Sequence, residues 1–430
     1  MIAEKPSKQT RDFVDELVCR KMFIDHDGVD AEELNIARAK ALQMLNRPTI
    51  LYLMLAQGCN FECTYCPIPG LAKRYGNNLL SFDDAIAGIE LWQRHINDYP
   101  ADSDPYFLIF YGGEPLLNKE VLEKLLGHVE KAKDQGDLPQ NLELMLCTNG
   151  ALLDARLAKL FTYHKVTVAL GIDGPPQDNN RIRLTGEGMP TFSLIKRAVD
   201  FCLQEGVRVV ASATITPSNL QCLQEYPAFM KNLGISQFGF NLMKGSALIR
   251  ELAGKSAEEY CLLAAKNVLA GLKDVTEEGQ YYEYQLQKKL SMLTGGLPFS
   301  VDCTCYGNQL VIQADGQVTN CPFLRCDQGH VNDLPESFRI GETGTVHEWR
   351  QRLPLFNGEA SEVFNGGGCA WGSHEIHSSI NSPDLHNAIF TKEVVHGLIW
   401  SFLSEEQATA LLRGDAYYWC HRRIGSMQTL

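Results

Sequence analysis

Short runs rich in β-branched and aromatic residues recur along the middle of this chain, and each is followed by a segment with helical periodicity. The runs are 50-ILYLMLA-56, 106-YFLIFYG-112, 142-LELMLC-147, 166-VTVALGI-172, 207-VRVVASATI-215 and 236-SQFGFNLM-243. The helical patterns begin near Ser81, Asn118, Leu152, Thr191, Ser218 and Ser256. Two starts carry a capping box, Ser81 with Asp84 and Ser256 with Glu259, which supplies the orphan amides of a first helical turn. Gly206 follows 191-TFSLIKRAVDFCLQE-205, where a helix end wants a left-handed residue. Six strand–helix units make an α/β domain with a parallel sheet. Six rather than eight units predict a partial (β/α)6 TIM-type barrel or a doubly wound sheet, with the site at the C-terminal ends of the strands.

The flanks break this rhythm. Residues 9–42 read as helix, short turn, acidic helix. Residues 273–300 read as a helical, Tyr-rich bridge, whose tyrosines either line a peptide groove or, as the preferred reading, form a solvated helix edge. A cysteine-rich region with Gly-rich turns begins at 301, and 376–430 reads as a mixed tail with helices around 391–403 and 404–413. The expected organisation is therefore 1–47, 48–272, 273–300, 301–375 and 376–430.

With 430 residues, 45% hydrophobic, the chain is long enough for one large core and satellite domains. Its apolar runs are too short to span a bilayer, and 1-MIAEKPSKQTRD-12 has no apolar core of a secretory signal, so a cytoplasmic location is expected. The net charge of -13 argues against nucleic acid as the main partner.

Fourteen cysteines without an export signal point to metal or catalysis rather than disulfides. Cys202 and Cys261 fall on apolar helix faces and read as inert buried thiols, with Cys19, Cys147 and Cys222 placed beside them. The others cluster. In 59-CNFECTYC-66 the spacing is C-x3-C-x2-C, directly after the first strand. Thiolates favour zinc or iron–sulfur, and three are one too few for a closed tetrahedral site. A cube held by three cysteines would leave one iron open to a small molecule.

The triplet, with Tyr65 before its last cysteine, resembles the signature of the radical S-adenosylmethionine (SAM) enzymes. The resemblance implies a [4Fe–4S] cluster on Cys59, Cys63 and Cys66, whose open iron chelates S-adenosylmethionine and cleaves it to a hydrogen-abstracting 5′-deoxyadenosyl radical. The stretch 111-YGGEPLL-117 is similar to the family's GGEP motif. It implies that Gly112 and Gly113 let the backbone approach the methionine and that Glu114 accepts from its ammonium group. The stretches 148-TNGALL-153, 171-GIDGPPQDNNRIR-183 and 212-SATITPSN-219 resemble the peptide- and sulfatase-modifying branch, implying cofactor contacts for Asn149, Asp173 and Arg183.

In 303-CTCYGNQLVIQADGQVTNC-321, residues 309–320 read as a hairpin with an Asp-Gly turn and cysteines at its ends. The stretch resembles the opening of the SPASM domain and of its shortened twitch form, which hold auxiliary iron–sulfur clusters in radical peptide maturases. Cys369 fits the last cysteine of the SPASM pattern, while Asn365, Glu359 and Phe356 stand where three more would be. The resemblance implies one auxiliary [4Fe–4S] cluster kept, on Cys303, Cys305, Cys321 and Cys369, and the outer one lost. Cys326 is an alternative ligand to Cys303 or Cys305, and a zinc ribbon is the alternative to a cluster. Cys326 and Cys420 are candidate hydrogen-atom donors.

The stretch 373-SHEIHSS-379 places two histidines three apart rather than four, so it is read as polar loop and not as a zincin helix. The expected function is hydrogen abstraction from a ribosomally made precursor peptide, ending in a crosslink, an epimerisation or a backbone excision. An anaerobic sulfatase-maturase, a small-molecule twitch dehydrogenase and a non-catalytic zinc scaffold are the alternatives. Residues 9–47 resemble the tail of a leader-recognition element and its acidic spacer, too short for the whole element. A separate leader-binding protein is an expected partner, as is an electron donor such as flavodoxin or ferredoxin.

Overall fold

The computed structural model describes residues 27–98, 105–276, 282–285, 303–353 and 368–401. The chain divides into two compact units, Met1–Met44 and Leu45–Leu430. The described part of the first unit is helical, within α1 (Asp27–Leu45).

The second unit is built on six parallel strands: β1 (Ile50–Ala56), β2 (Tyr106–Gly112), β3 (Leu142–Thr148), β4 (Val166–Gly171), β5 (Val209–Ile215) and β6 (Gln237–Leu242). Each pairs with the next in sequence order. The helices between them are α2 (Ile68–Tyr75), α3 (Phe82–Asp98), α4 (Lys119–Gln135), α5 (Ala155–Tyr163), α6 (Pro176–Ile182), α7 (Phe192–Gln204) and α8 (Tyr226–Asn232), with α9 (Gly245–Leu252) and α10 (Ala257–Thr276) after β6. This is the expected partial barrel, and among the described residues its sheet does not close.

Alternate strand residues face opposite sides. One set, including Leu51, Leu53, Leu108, Phe110, Leu144 and Leu146, is wholly or nearly wholly buried with the helices in one core. Each such side chain contributes about 2 kcal/mol. The other set faces the barrel interior and keeps partial exposure: Tyr52, Tyr111, Met145, Cys147, Gly171, Ser212 and Asn241.

Local signals held where the sequence carried them. Asp84 N–H donates to Ser81 Oγ at 3.0 Å and Glu259 N–H to Ser256 Oγ at 3.2 Å. Gly206 takes a φ of +73° after α7. The start of α5 lies at Ala155 rather than near Leu152, because Asp154 accepts from Leu157 N–H and so caps the helix.

Three readings need correction. The Tyr-rich bridge is helical at 273–276, the end of α10, and at 284–285, but not at Tyr282–Glu283, which form β7, parallel to β6; the rest of it lies outside the described residues. Tyr284 is not on a solvated edge: its ring lies against Gly239, where an added Cβ would come within 2.3 Å of it. The stretch 373–379 is not loop. Residues 373–377 fall in α12 (Ala370–His377), because Cys369 caps that helix through Gly372 N–H and the left-handed Ser378 ends it.

The cysteine hairpin does not form a sheet of its own. Its strands β8 (Gln309–Ile312) and β9 (Val318–Thr319) join the barrel sheet at the free edge of β1, with Ile50 opposite Gln309 and Leu53 opposite Ile312. On α3, a Cβ at Gly88 would sit 2.5 Å from Ile312, so glycine there lets helix and strand close up. Arg350, on α11 (Gly344–Arg350), is buried and donates to Tyr306 O, Leu45 O and Asn46 Oδ1 at 2.7, 3.0 and 2.9 Å. The last described helix, α13 (Leu385–Ser401), packs on α10, and the helix expected around 404–413 lies outside the described residues. Among the described residues no helix is long and apolar enough to cross a membrane.

His95 makes a pH-dependent joint. Its ring accepts from Ile340 N–H at 2.9 Å through Nε2, while Nδ1 faces Leu91 O at 2.8 Å. Burial lowers its pKa to about 4, below the ordinary 6.5. A group whose folded pKa is depressed by burial of its neutral form stabilises fully above the unfolded value and loses that contribution as pH falls toward the folded one. Between pH 7 and pH 5 the chain is expected to lose on the order of 2 kcal/mol on this account. Urea midpoints at the two pH values should differ less in His95→Gln than in the unaltered chain; equal differences would refute the joint.

Candidate active site

The first cysteine loop leaves β1 at Ala56 and is laced to the segment after β4. Glu62 N–H donates to Leu184 O at 2.8 Å and Thr64 N–H to Ile182 O at 3.0 Å. This holds Cys59, Cys63 and Cys66 at the C-terminal mouth of the barrel. Donors point at their sulfurs: Phe61 N–H to Cys59 Sγ at 3.3 Å, Asn149 Nδ2 to Cys59 Sγ at 3.6 Å, and Arg183 Nη1 to Cys63 Sγ at 3.9 Å. Burial pushes the Cys59 thiol up to about 11 and the Cys66 thiol up to about 12. Dry thiols with donors on their sulfurs need a cation to become thiolates, and a coordinated thiol is deprotonated outright. The donor set thus fits a thiolate-bound iron–sulfur group.

The GGEP stretch is built against this loop. An added Cβ would lie 2.3 Å from Ala56 O at Gly112 and 2.1 Å from Gly58 O at Gly113, so both glycines are required by the chain's own backbone. Gly113 N–H donates to Ala56 O and Glu114 N–H to Gly58 O, at 2.8 and 2.9 Å. Glu114 is fully buried and accepts from Thr148 Oγ1 at 2.6 Å, Asn149 N–H at 2.8 Å and Leu116 N–H at 3.0 Å. Burial raises its pKa and these three donors pull it back. Glu114 therefore locks the end of β2 to the end of β3 and aims Asn149 at Cys59 and Asn60. Gly113→Ala is expected to destabilise by roughly 1–3 kcal/mol, since the clash is with backbone. Thermal unfolding and the iron content of the first site should both fall, and an alanine variant with unchanged iron would contradict the geometry.

Asp173 and Arg183 do not stand as separate contacts. They form a buried ion pair, Arg183 Nε to Asp173 Oδ2 at 2.7 Å, joined by Tyr65 Oη on the same oxygen at 2.9 Å and by Thr214 N–H on Oδ1 at 2.8 Å. The motif tyrosine is thereby tied to the ends of β4 and β5.

Inside the barrel, Tyr52 and Tyr111 meet edge to face at 5.8 Å, Tyr111 meets Phe323 at 6.2 Å, and Phe323 meets Trp371 at 5.5 Å. Tyr111 lies within the electrostatic reach of Cys66 and of Cys321. Cys147, read from sequence as a buried inert thiol, is instead partly exposed on this interior face, within reach of Tyr52, Tyr111 and Tyr284. By contrast Cys202, Cys222 and Cys261 are buried as expected. Tyr284, which the sequence reading sets on a solvated edge, belongs to this face together with Gln285, whose Nε2 donates to Asn241 Oδ1 at 2.8 Å. The available signal was Gly239, a glycine inside a β-rich run that marks close approach by another group.

The second cysteine group gathers four of its members. Cys305 lies in hydrogen-bonding contact with Cys303 and Cys321, and Cys369 is in the field of Cys303, Cys321 and Lys244. Gln309 Nε2, Leu324 N–H and Gly372 N–H donate to Cys305, Cys321 and Cys369 Sγ at 3.2, 3.3 and 3.4 Å. Burial pushes the Cys369 thiol up to about 11, whereas its contact with Cys305 favours the thiolate of Cys303. Cys326 is half-buried and feels Cys321 alone of the four. Four thiols suit an iron–sulfur cluster or zinc equally. Among the described residues, no three histidine, cysteine or carboxylate side chains stand in position to hold a single metal ion. Cys420, Asn365, Glu359 and Phe356 lie outside the described residues.

Comparison with known proteins bears on this geometry. The sequence model of the radical SAM superfamily matches residues 53–229. The cysteine-type anaerobic sulfatase-maturating enzyme of Clostridium perfringens strain 13 is 27% identical over 323 residues, covering 70% of this chain and 82% of that enzyme. The radical SAM cyclopropyl synthase TigE of Paramaledivibacter caminithermalis is 22% identical, covering 76% and 69%. Among solved structures, anSMEcpe with bound AdoMet matches with a TM-score of 0.65 and 21% identity over 85% of this chain and 98% of that one. Streptococcus suis SuiB bound to precursor peptide SuiA matches with a TM-score of 0.53 and 14% identity, over 87% and 86%. These structural likenesses carry the fold. The sequence match, with a cysteine triplet and GGEP stretch held side by side at the mouth of a partial barrel, identifies residues 53–229 as a radical S-adenosylmethionine domain.

Proposed function

We propose that this radical SAM enzyme takes hydrogen from a residue of a ribosomally synthesised precursor peptide and installs a modification on it. The observation that carries this reading is the half-open interior face, with Tyr52, Tyr111, Cys147, Ser212, Asn241 and Tyr284, whose Tyr111 lies within electrostatic reach of a thiol of each cysteine group. A substrate segment entering there would meet both. A cluster on Cys59, Cys63 and Cys66 would supply one electron to S-adenosylmethionine, with Gly112, Gly113, Glu114, Asn149 and Tyr65 shaping its surroundings. A second cluster on Cys303, Cys305, Cys321 and Cys369 would exchange an electron with the substrate side. The peptide class is supported by relatives whose names state polypeptide substrates, sulfatases in one case and SuiA in another. A flavodoxin or ferredoxin as reductant, and a separate leader-binding protein, complete the reading.

Sulfatase maturation is the second reading, favoured by the 27% match over most of that enzyme. One experiment separates them. The anaerobically reconstituted enzyme is given a reductant and S-adenosylmethionine in heavy water, with either a short peptide encoded beside its gene or a cysteine- or serine-containing sulfatase peptide. Deuterium at an α-carbon of the first peptide indicates epimerisation. A loss of two mass units without deuterium indicates crosslinking or oxidation. Turnover of the sulfatase peptide alone refutes the precursor-peptide reading.

A further inference from the structure

We infer that Arg183, clamped by Asp173, is a fixed cation that compensates the charge of the group bound at Cys59, Cys63 and Cys66 and sets its reduction potential. This makes it a positioning and tuning residue for that site. The inference rests on the cluster assignment for the triplet and is independent of which substrate the enzyme takes.

The arrangement is built for a guanidinium at one place. Arg183 is 9% exposed, and its Nη1 lies 3.9 Å from Cys63 Sγ while Nε and Nη2 face the Asp173 carboxylate at 2.7 and 3.5 Å. The guanidinium occupies the space over Gly171, where any Cβ would come within 2.2 Å of Nη2. Its Cζ stands 5.6 Å from the centre of the Tyr65 ring, a cation–π distance. Asp173 is itself immobilised: Tyr65 Oη and Thr214 N–H hold the carboxylate, Asn179 Oδ1 accepts from its N–H, and Asn219 Nδ2 donates to its carbonyl. Every partner of Asp173 fixes the arginine more firmly, and Arg183 is the one of them whose charge reaches the cysteine.

A buried cation beside a thiolate-bound cluster stabilises its more negative, reduced state, because charges out of water interact strongly. The anion that holds the cation acts in the opposite sense from further back. Arginine suits the task because it stays charged when buried and its planar fork serves carboxylate and sulfur at once.

The test is an EPR-monitored redox titration of the reconstituted full chain, following the signal that S-adenosylmethionine perturbs. Arg183→Gln is expected to move the potential to more negative values, Arg183→Lys to leave it near that of the unaltered chain, and Asp173→Asn to move it to less negative values. A merely structural pair would shift Arg183→Gln and Asp173→Asn in the same direction or not at all, and either result overturns the inference. If Arg183→Gln holds no iron at the first site while Arg183→Lys does, the charge is required and the inference stands. If both lose iron, packing alone is at stake and the inference fails. Failure of the cluster assignment would appear differently, as absence of that signal from the unaltered chain.

Discussion

Replacing Cys59, Cys63 and Cys66 together by alanine is expected to abolish cleavage of S-adenosylmethionine, with no 5′-deoxyadenosine detectable by chromatography. The effect is all-or-none because no other described thiol reaches this place. Cys147 is the cysteine two residues before Asn149, but it points into the barrel from the strand below the mouth. Losing three small, half-buried thiols costs little in folding. The variant should therefore stay folded by circular dichroism while its iron content falls by half. Iron unchanged in the triple variant would sink the assignment.

Replacing Cys303, Cys305, Cys321 and Cys369 is expected to give the opposite division. S-adenosylmethionine cleavage should persist while modification of the peptide is lost, and iron should again fall by half. The two groups lie on different elements: one on the loop after β1, the other on the hairpin at the free edge of β1 and at the start of α12. Each can be emptied while the other is kept. Here some loss of stability is expected as well, because Gln309 Nε2 donates to the Cys305 sulfur within the hairpin core. Zinc in place of the second half of the iron would return this region to a structural ribbon.

The six strands were legible because each is a local run of β-forming residues. Helices α3, α4, α7 and α10 were legible because their apolar spacing is local too, and two carried capping boxes. The short helices α2, α6 and α9 were not legible. The first two carry proline near their starts and all are eight residues or fewer, too short for periodicity to stand out. The cysteine ligands could be read from spacing, which is a property of the chain itself. The roles read for Glu114, Asp173 and Arg183 took these polar residues at strand ends as cofactor contacts. In the fold the three are also partners of the chain itself, Glu114 of Thr148 and Asn149, Asp173 of Arg183 and Tyr65.

By itself, then, the sequence determined the repeating strand–helix order, the two cysteine groups and the glycines beside them, since propensity, periodicity and spacing act over a few residues. Only the tertiary structure decided that the hairpin extends the barrel sheet, that Cys147 and Tyr284 face the interior, and that Arg183 reaches Cys63. Those facts depend on which buried donors and acceptors meet across 40 to 300 residues of chain. Burial requires every polar group to find a partner, and it does not say in advance which one.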